Sequence, residues 1–367
     1  MKLKVLLIIL CGMFLLGEIP NLREYAEKLC YPAMYYSVGG ETEWDWDEAV
    51  VKRIIPLYAY MSENTPPEAE VEDSFTYEMI LAQQENDEYT MSEDLETVTQ
   101  QTKPEQTAQN TQTTEVSIDK LRDFNYLLSH YYTVDSTTTI GPDQLNVDDL
   151  LKRDMQIDNT KKGPKILIFH THSQEAFADS KSGDSNTSIV GMGRYLSELL
   201  NAKGIETLHH NGVYDLINGK LDRSKAYQMA EAGVKEILNQ NPSIEVVIDL
   251  HRDGVPETTR LVTEINGKQT GKIMFFNGLS RTKKNGNIEY LKNPYIQDNL
   301  SFSLQMQLAA EKLYPGLTRR IYLKGYRYSL HMMPKSLLIE AGAQNNTVEE
   351  MKNSMELLAN ILVEVLL

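Results

Sequence analysis

Residues 244 to 251 read Ile-Glu-Val-Val-Ile-Asp-Leu-His, the strongest strand signal in the chain, and the fold is read outward from it. Val246, Val247 and Ile248 follow one another without a polar break, the pattern of a strand covered on both faces. Upstream, residues 165–169 (Lys-Ile-Leu-Ile-Phe) form a second short buried strand, and 205–209 a third. Between them, residues 189–203 carry apolar side chains at 189, 192, 196, 199 and 200 and stop at Gly204, the spacing and cap of an amphipathic helix. A helix is expected near 224–239, another near 298–313, strands near 318–323 and 336–340, and a last helix from Thr347, whose hydroxyl and Glu350 make a capping box. Residues 258–265 and 272–276 around Asn266-Gly267 give a hairpin signal. Strands alternating with helices predict an α/β domain, an open mixed sheet with helices on both faces, over 118–367.

In such sheets the reactive groups collect beyond the carboxyl ends of strands. Three of these ends are chemically loaded: Phe-His-Thr-His-Ser-Gln-Glu-Ala (169–176), Asp-Leu-His-Arg-Asp-Gly (249–254) and Leu-Ile-Glu-Ala-Gly (338–342). A hydrolytic zinc ion takes three protein ligands from His and carboxylates and leaves a position for water. His172, Glu175 and His251 supply that set. His170 and His172 share a side only if extension continues past Phe169, so one of the two is a ligand and the other orients a ligand from behind; His172, further beyond the apolar run, is preferred. Glu340 ends an otherwise apolar Leu-Leu-Ile strand, which suggests a carboxyl with a raised pKa suited to general-base work; an ion-paired structural Glu is the alternative. Arg252 and Asp253 follow His251 directly and either bind substrate or fix the loop. His209 and His210 read as structural and His130 as uninvolved, while His331 in Ser-Leu-His-Met-Met-Pro is a candidate for a lid or substrate contact. No Gly-rich phosphate loop and no Gly-x-Ser-x-Gly elbow occurs.

The first third of the chain differs. Lys2 and Lys4 precede an uncharged apolar run over 5–17, the layout of a signal sequence or short signal anchor. The run is shorter than the roughly 20 residues of a comfortable span, yet no small-x-small cleavage site follows, so retention as a single-pass anchor (1–20) is preferred to cleavage. Residues 21–61, with Tyr35, Tyr36, Trp44 and Trp46, read as membrane-proximal or partner-binding. Residues 62–117 read as a disordered acidic linker. From Ser62 to Asp119 there are fifteen acids against one base, Lys103, so -14 of the formal charge of -16 lies in that stretch, all but Asp119 of it in the linker. The rest is nearly neutral, and with no long basic run there is no electrostatic footprint for nucleic acid. Two cysteines, Cys11 and Cys30, exclude a disulfide framework or a multi-cysteine metal site.

Taken together, Ile-Leu-Ile-Phe-His-Thr-His-Ser-Gln-Glu-Ala, Ile-Asp-Leu-His-Arg-Asp-Gly, the Thr-Glu-Ile-Asn-Gly strand, Tyr-Pro-Gly-Leu-Thr-Arg (314–319) and Leu-Leu-Ile-Glu-Ala-Gly-Ala-Gln-Asn-Asn-Thr (337–347) resemble the stage II sporulation protein P family. That family is similar to zinc-dependent N-acetylmuramoyl-L-alanine amidases. The resemblance implies a peptidoglycan hydrolase held at the cell membrane, its catalytic domain extracytoplasmic. It would cut the amide between the muramyl lactyl group and L-alanine, with endopeptidase activity on cross-links. It would act with stage II sporulation proteins D and M in septal thinning and forespore engulfment. It also implies Zn2+ on His172, Glu175 and His251 with Glu340 as the catalytic base; the reading of the residues themselves adds His170 and Arg252 to the expected catalytic set. One departure stands: the broader amidases place the ligand Glu at the start of the helix after the first strand, where residues 186–193 hold no acid. Competing readings are a different zinc amide hydrolase, such as a deacetylase or carboxypeptidase, and a noncatalytic wall-binding scaffold.

Overall fold

The computed structural model describes residues 117–367, Ser224 excepted. The anchor, the membrane-proximal segment and all of the acidic linker except Ser117, which borders the first helix, lie outside the described residues. Among the described residues no helix is long and apolar enough to cross a membrane. In chain order the elements are α1 (Ile118–Leu121), α2 (Phe124–Tyr131), β1 (Tyr132–Val134), α3 (Val147–Lys152), β2 (Ile166–Phe169), α4 (Ile189–Ala202) and β3 (Thr207–His209). Then come the small hairpin β4 (Leu216–Ile217) and β5 (Lys220–Leu221), α5 (Ala226–Gln240), β6 (Val246–Asp253), the hairpin β7 (Val262–Ile265) and β8 (Lys268–Gly271), and β9 (Ile273–Gly278). The short pair β10 (Arg281–Thr282) and β11 (Gly286–Asn287), α6 (Ile296–Leu313), β12 (Ile321–Lys324), β13 (Ser336–Ala343) and α7 (Val348–Leu366) complete the chain.

Seven strands form one sheet in the order β1-β12-β9-β13-β6-β2-β3. Every neighbouring pair is parallel except β13 and β9, so the sheet is mixed and its two halves run in opposite directions. β6 lies between β2 and β13 and is buried nearly throughout, as its apolar run requires. On one face Ile166, Ile168, Ile248, Leu250 and Ile339 pack with Leu196 of α4, Phe302 of α6 and Leu358 of α7. On the other, Leu167, Phe169 and Val247 pack under Ala230 and Val234 of α5. Beside them Met274, Phe276 and Leu338 lie under Tyr322, Tyr326 and Tyr328. Chemistry-bearing side chains on this second face therefore sit between α5 and an aromatic cover.

Local signals explain most boundaries. Thr347 and Glu350 close the capping box on α7, worth about 1 kcal/mol. Asn266 and Gly267 both take positive φ, the primed turn joining β7 to β8. The second strand of that hairpin is 268–271, however, and 273–278 leaves it to become β9 inside the main sheet. Residues 118–131 hold two short helices rather than one, because the Asp123 side chain accepts from Asn125 N and Tyr126 N and starts the second. Asn146 does the same for α3, its side chain accepting from Asp148 N and Asp149 N.

Candidate metal centre and active site

Extension of β2 ends at Phe169, and the histidine pair that follows is split between the two sides of the sheet. His170 stays on the α4 side: its Nδ1 contacts Leu250 O at 2.7 Å and its Nε2 contacts His209 Nε2 at 2.9 Å. Both ring nitrogens are engaged, and the two rings meet over Gly193 of α4, where a Cβ would come within 2.4 Å of His170 Nε2. Burial lowers both imidazoles, His170 to about 4 and His209 to about 3. This is a neutral pair, held between the Leu250 carbonyl and α4.

His172 turns the other way and meets Glu175 and His251. One donor atom from each of these three residues lies within 4.8 Å of the others, and all three side chains are buried. Glu175 Oε1 is 3.6 Å from His172 Nδ1 and 3.8 Å from His251 Nδ1, while Oε2 accepts from the backbone N of Arg252 at 2.9 Å. The imidazole rings of His172 and His251 stand edge to face with centroids 5.0 Å apart. Burial alone would raise the Glu175 carboxyl, but His172 and His251 outweigh it and hold it well below the usual carboxylate range. Burial lowers His172; for His251 the pull of Asp249 and Glu175 exceeds the burial penalty and raises it well above 6.5. Two imidazole nitrogens and one carboxylate oxygen, converging in a buried pocket, are the donor set of a hydrolytic zinc site.

Behind the cluster stands Asp249, two residues before His251 on the same face of β6. Its Oδ1 lies 2.7 Å from His251 Nε2, off the ring N–H axis, so charge proximity rather than a straight hydrogen bond links them. Thr171, the middle residue of His-Thr-His, donates to Asp249 through both backbone N and Oγ1. The arrangement is a carboxylate backing a histidine. Alternation along β6 contains this signal, which sequence reasoning passed over.

Glu340 of β13 pairs in register with His251 of β6, which sets the two side chains next to each other on one face. The carboxyl is 8% exposed and its buried Oε2 has no hydrogen-bond partner. Burial above all pushes it up to about 8; His251 opposes this while Asp253 and Glu175 add to it. The register of β13 against β6 slips between Glu340 and Ala343, and Gly342 occupies the slip with φ of 62°. A bulge there re-aims the strand end beside the site.

The remaining candidates are also placed. Arg252 directs its guanidinium to Ala176 O at 2.8 Å and Asp253 O at 3.0 Å, which ties the Glu175 loop to β6. Asp253 is buried against Arg319. His331 lies 3.2 Å from Glu231 on α5, which also binds Arg327, so it fastens the 326–333 turn to that helix. Tyr227 and Arg223, at the start of α5, were not singled out from sequence. The Tyr227 ring stands edge-on to His172 at 5.5 Å, and Arg223 Nη2 is 3.9 Å from Glu175 Oε1.

The displaced ligand Glu has a simple geometry. Ile189, the first residue of α4, donates its backbone N to Glu175 O at 3.0 Å, and Ala176 bridges to Ser188. Glu175 thus lies at the start of the helix in space, with residues 176–188 looped out between them.

A family model described as stage II sporulation protein P matches residues 47–363. The stage II sporulation protein P of Bacillus subtilis (strain 168) is 25% identical over 246 residues, 60% of this chain, and the chain spans 58% of that relative's length. Among solved structures, the N-acetylmuramoyl-L-alanine amidase AmiC2 of Nostoc punctiforme has 11% identity and a TM-score of 0.33, covering 56% of this chain and 98% of its own. The CwlD amidase of Clostridioides difficile, in complex with the GerS lipoprotein, has 17% identity and a TM-score of 0.34, covering 55% and 99%.

Proposed function

This chain belongs to the stage II sporulation protein P family, and from that premise we propose that it is a sporulation peptidoglycan hydrolase that cuts the N-acetylmuramoyl-L-alanine amide. The observation that carries the reading is the buried convergence of His172, Glu175 and His251, with Glu340 beside them and its buried Oε2 without a hydrogen-bond partner. The three would hold Zn2+, which when bound supplies Lewis-acid polarisation of a carbonyl and activation of water.

In the proposed mechanism Glu340 takes the proton of the attacking water and returns it to the amine nitrogen as the carbon–nitrogen bond breaks. Burial raises this carboxyl in the metal-free chain, and a cation held beside it would draw it back toward neutral pH, where it can both accept and release a proton. Asp249 and Thr171 hold the His251 ring, and the Arg252 backbone and guanidinium hold Glu175 and its loop. His170 has no contact with the cluster's donor atoms and keeps the sheet against α4, so its role here is structural rather than catalytic.

The same reading takes residues 1–20 as a single-pass anchor, places the catalytic domain outside the cytoplasm at the sporulation septum, and includes endopeptidase action on cross-links. It takes sporulation proteins D and M as partners in septal thinning and engulfment. Lys2, Lys4 and the apolar run to Gly17 support the anchor. The test is digestion of purified sacculi by the full chain with and without chelator, products resolved by mass. Release of intact stem peptides from glycan, abolished by chelation and restored by zinc, is expected. Chelator-resistant digestion, or products lacking free L-alanine amino termini, would overturn it.

A further inference from the structure

The proposed reaction builds negative charge on the carbonyl oxygen of the amide, and it does so among buried carboxyls, Glu175, Asp249 and Glu340. A hydrogen-bond donor aimed at that oxygen offsets their repulsion without burying a further ion. Most donors beside the metal cluster are already committed. Thr171 gives its backbone N and its hydroxyl to Asp249, and Ser173 gives its hydroxyl to Asp215. The Arg252 backbone N goes to Glu175 and its guanidinium to the carbonyls of Ala176 and Asp253, while Arg223 faces Glu175 at 3.9 Å.

Tyr227 is placed differently. It lies in the first turn of α5, the helix that covers β2 and β6, whereas Glu340 reaches the cluster from the sheet itself. Its ring meets His172 edge to face with centroids 5.5 Å apart, and meets Tyr328 in the same manner at 5.4 Å. Tyr328 in turn stands edge-on to Phe276 of β9, centroids 4.7 Å apart. A ring held by two others presents its polar tip at little further cost in side-chain entropy. Asp249, Glu340 and Glu175 all act electrostatically on the hydroxyl, which puts that end of the ring toward the cluster. Among the described residues no hydrogen bond engages this hydroxyl, and it is not sealed off, since Tyr227 is only half-buried.

We propose that the Tyr227 hydroxyl is a catalytic hydrogen-bond donor to the carbonyl oxygen of the scissile amide, working from the helix layer while Glu340 works from the sheet. The inference rests on the hydrolase reading and names a further residue of that site. As the water oxygen bonds to the carbonyl carbon, its proton passes to Glu340 and the carbon–oxygen π pair moves onto the carbonyl oxygen. Tyr227 donates to that oxygen and keeps its own proton. When the pair returns, the carbon–nitrogen bond breaks and the nitrogen takes the proton from Glu340. The donated bond is strongest while the oxygen bears charge, so Tyr227 favours the transition state over the bound amide.

Tyr227→Phe removes the oxygen and keeps the ring against His172 and Tyr328. In the zinc-loaded full chain, kcat on a soluble muramyl peptide should fall at least about ten-fold with KM little changed. Calorimetric affinity for the matching phosphinate, whose tetrahedral anion replaces the scissile amide, should fall by a similar factor. Affinity for the released stem peptide, zinc affinity in chelator competition and the urea midpoint should stay at parent values. Parent-like kcat, or equal weakening of phosphinate and stem peptide, would overturn the proposal. So would zinc affinity that falls in step with turnover, because Tyr227 would then act by holding His172. Chelator-sensitive digestion of sacculi by a variant that matches the parent would remove the tyrosine assignment alone. A parent that cuts no wall amide, yet binds the phosphinate at least ten-fold more tightly than the variant, would remove the hydrolase reading and leave the donor role standing.

Discussion

Replacing Glu340 by Gln separates what this carboxyl does for the fold from what it does in the proposed reaction. An unfolded glutamate titrates near 4.5, whereas in the folded chain burial pushes Glu340 up to about 8. Between those values the folded state holds a proton that the unfolded state has released. Glu340 is thus a raised acid: the folded state is best off at or below pH 4.5, and that advantage is lost as pH rises toward 8. At pH 7 the span of some 2.5 pH units travelled is worth about 3 kcal/mol of destabilisation relative to acid pH. Gln has nearly the same shape and no charge to bury. In the presence of chelator, Glu340→Gln should therefore be more stable than the parent by about 3 kcal/mol at pH 7 and equal to it near pH 4, read from urea midpoints across pH. Turnover of sacculi by the zinc-loaded variant should fall by a factor on the order of 10^2–10^4, the range for loss of a positioned proton carrier. A variant that is less stable than the parent at pH 7, or one that retains full turnover, would refute the reasoning from both sides.

Other substitutions probe the supports. Gly342→Ala puts a side chain at φ of 62° and a Cβ 2.4 Å from Met351 Sδ and 2.8 Å from Asn346 Oδ1, so a loss of about 1–3 kcal/mol and lowered turnover are expected from denaturation and wall-digestion assays. Burial lowers His170 from 6.5 to about 4, so the stability it contributes is present above pH 6.5 and lost as pH falls toward 4. Between pH 7 and pH 5 the parent should lose about 2 kcal/mol more than His170→Gln, and parallel pH slopes would contradict the buried neutral pair. Asp249→Asn should weaken zinc binding about 10–100-fold in competition with a chromophoric chelator, and unchanged affinity would exclude it as the group behind His251.

What was legible in the sequence was whatever depended on short-range pattern. The runs 165–169 and 244–251 had to be strands, 189–203 had to be a helix ending at Gly204, and Thr347 with Glu350 had to start one. The strand ends that carry His172, Glu175, His251 and Glu340 could be recognised because alternating α/β chains collect reactive groups there. What depended on register or on a single loop residue was not legible. Nothing local reveals that 273–278 leaves the hairpin for the main sheet, between β12 and β13, since its apolar character suits either partner. The choice between His170 and His172 turned on where extension stops, and one residue of difference sends a side chain to the opposite face. Residues 176–188 hide the most: they separate Glu175 from α4 in sequence while a backbone hydrogen bond keeps it at the helix start. Arg223 and Tyr227 approach the site only because α5 packs over β2 and β6, a long-range fact with no sequence signature.

The charges of the site itself argue for a bound cation. Glu175, Asp249, Asp253 and Glu340 are four buried carboxyls on one face. Asp253 is matched by Arg319, and Asp249 and Glu175 share His251 between them. Glu340 is pushed up to about 8 by burial above all, with the charges of Asp253 and Glu175 adding to it against the pull of His251 and Arg319. A divalent ion held by His172, Glu175 and His251 adds positive charge beside it and draws its carboxyl down. Zinc loading should therefore shrink the pH-dependent stability gap between the parent and Glu340→Gln and shift its onset to lower pH. The same urea series, run with zinc in place of chelator, measures this directly. A gap that keeps its size and position when zinc is bound would mean that the ion sits away from Glu340, and the proton shuttle assigned to that residue would fail with it.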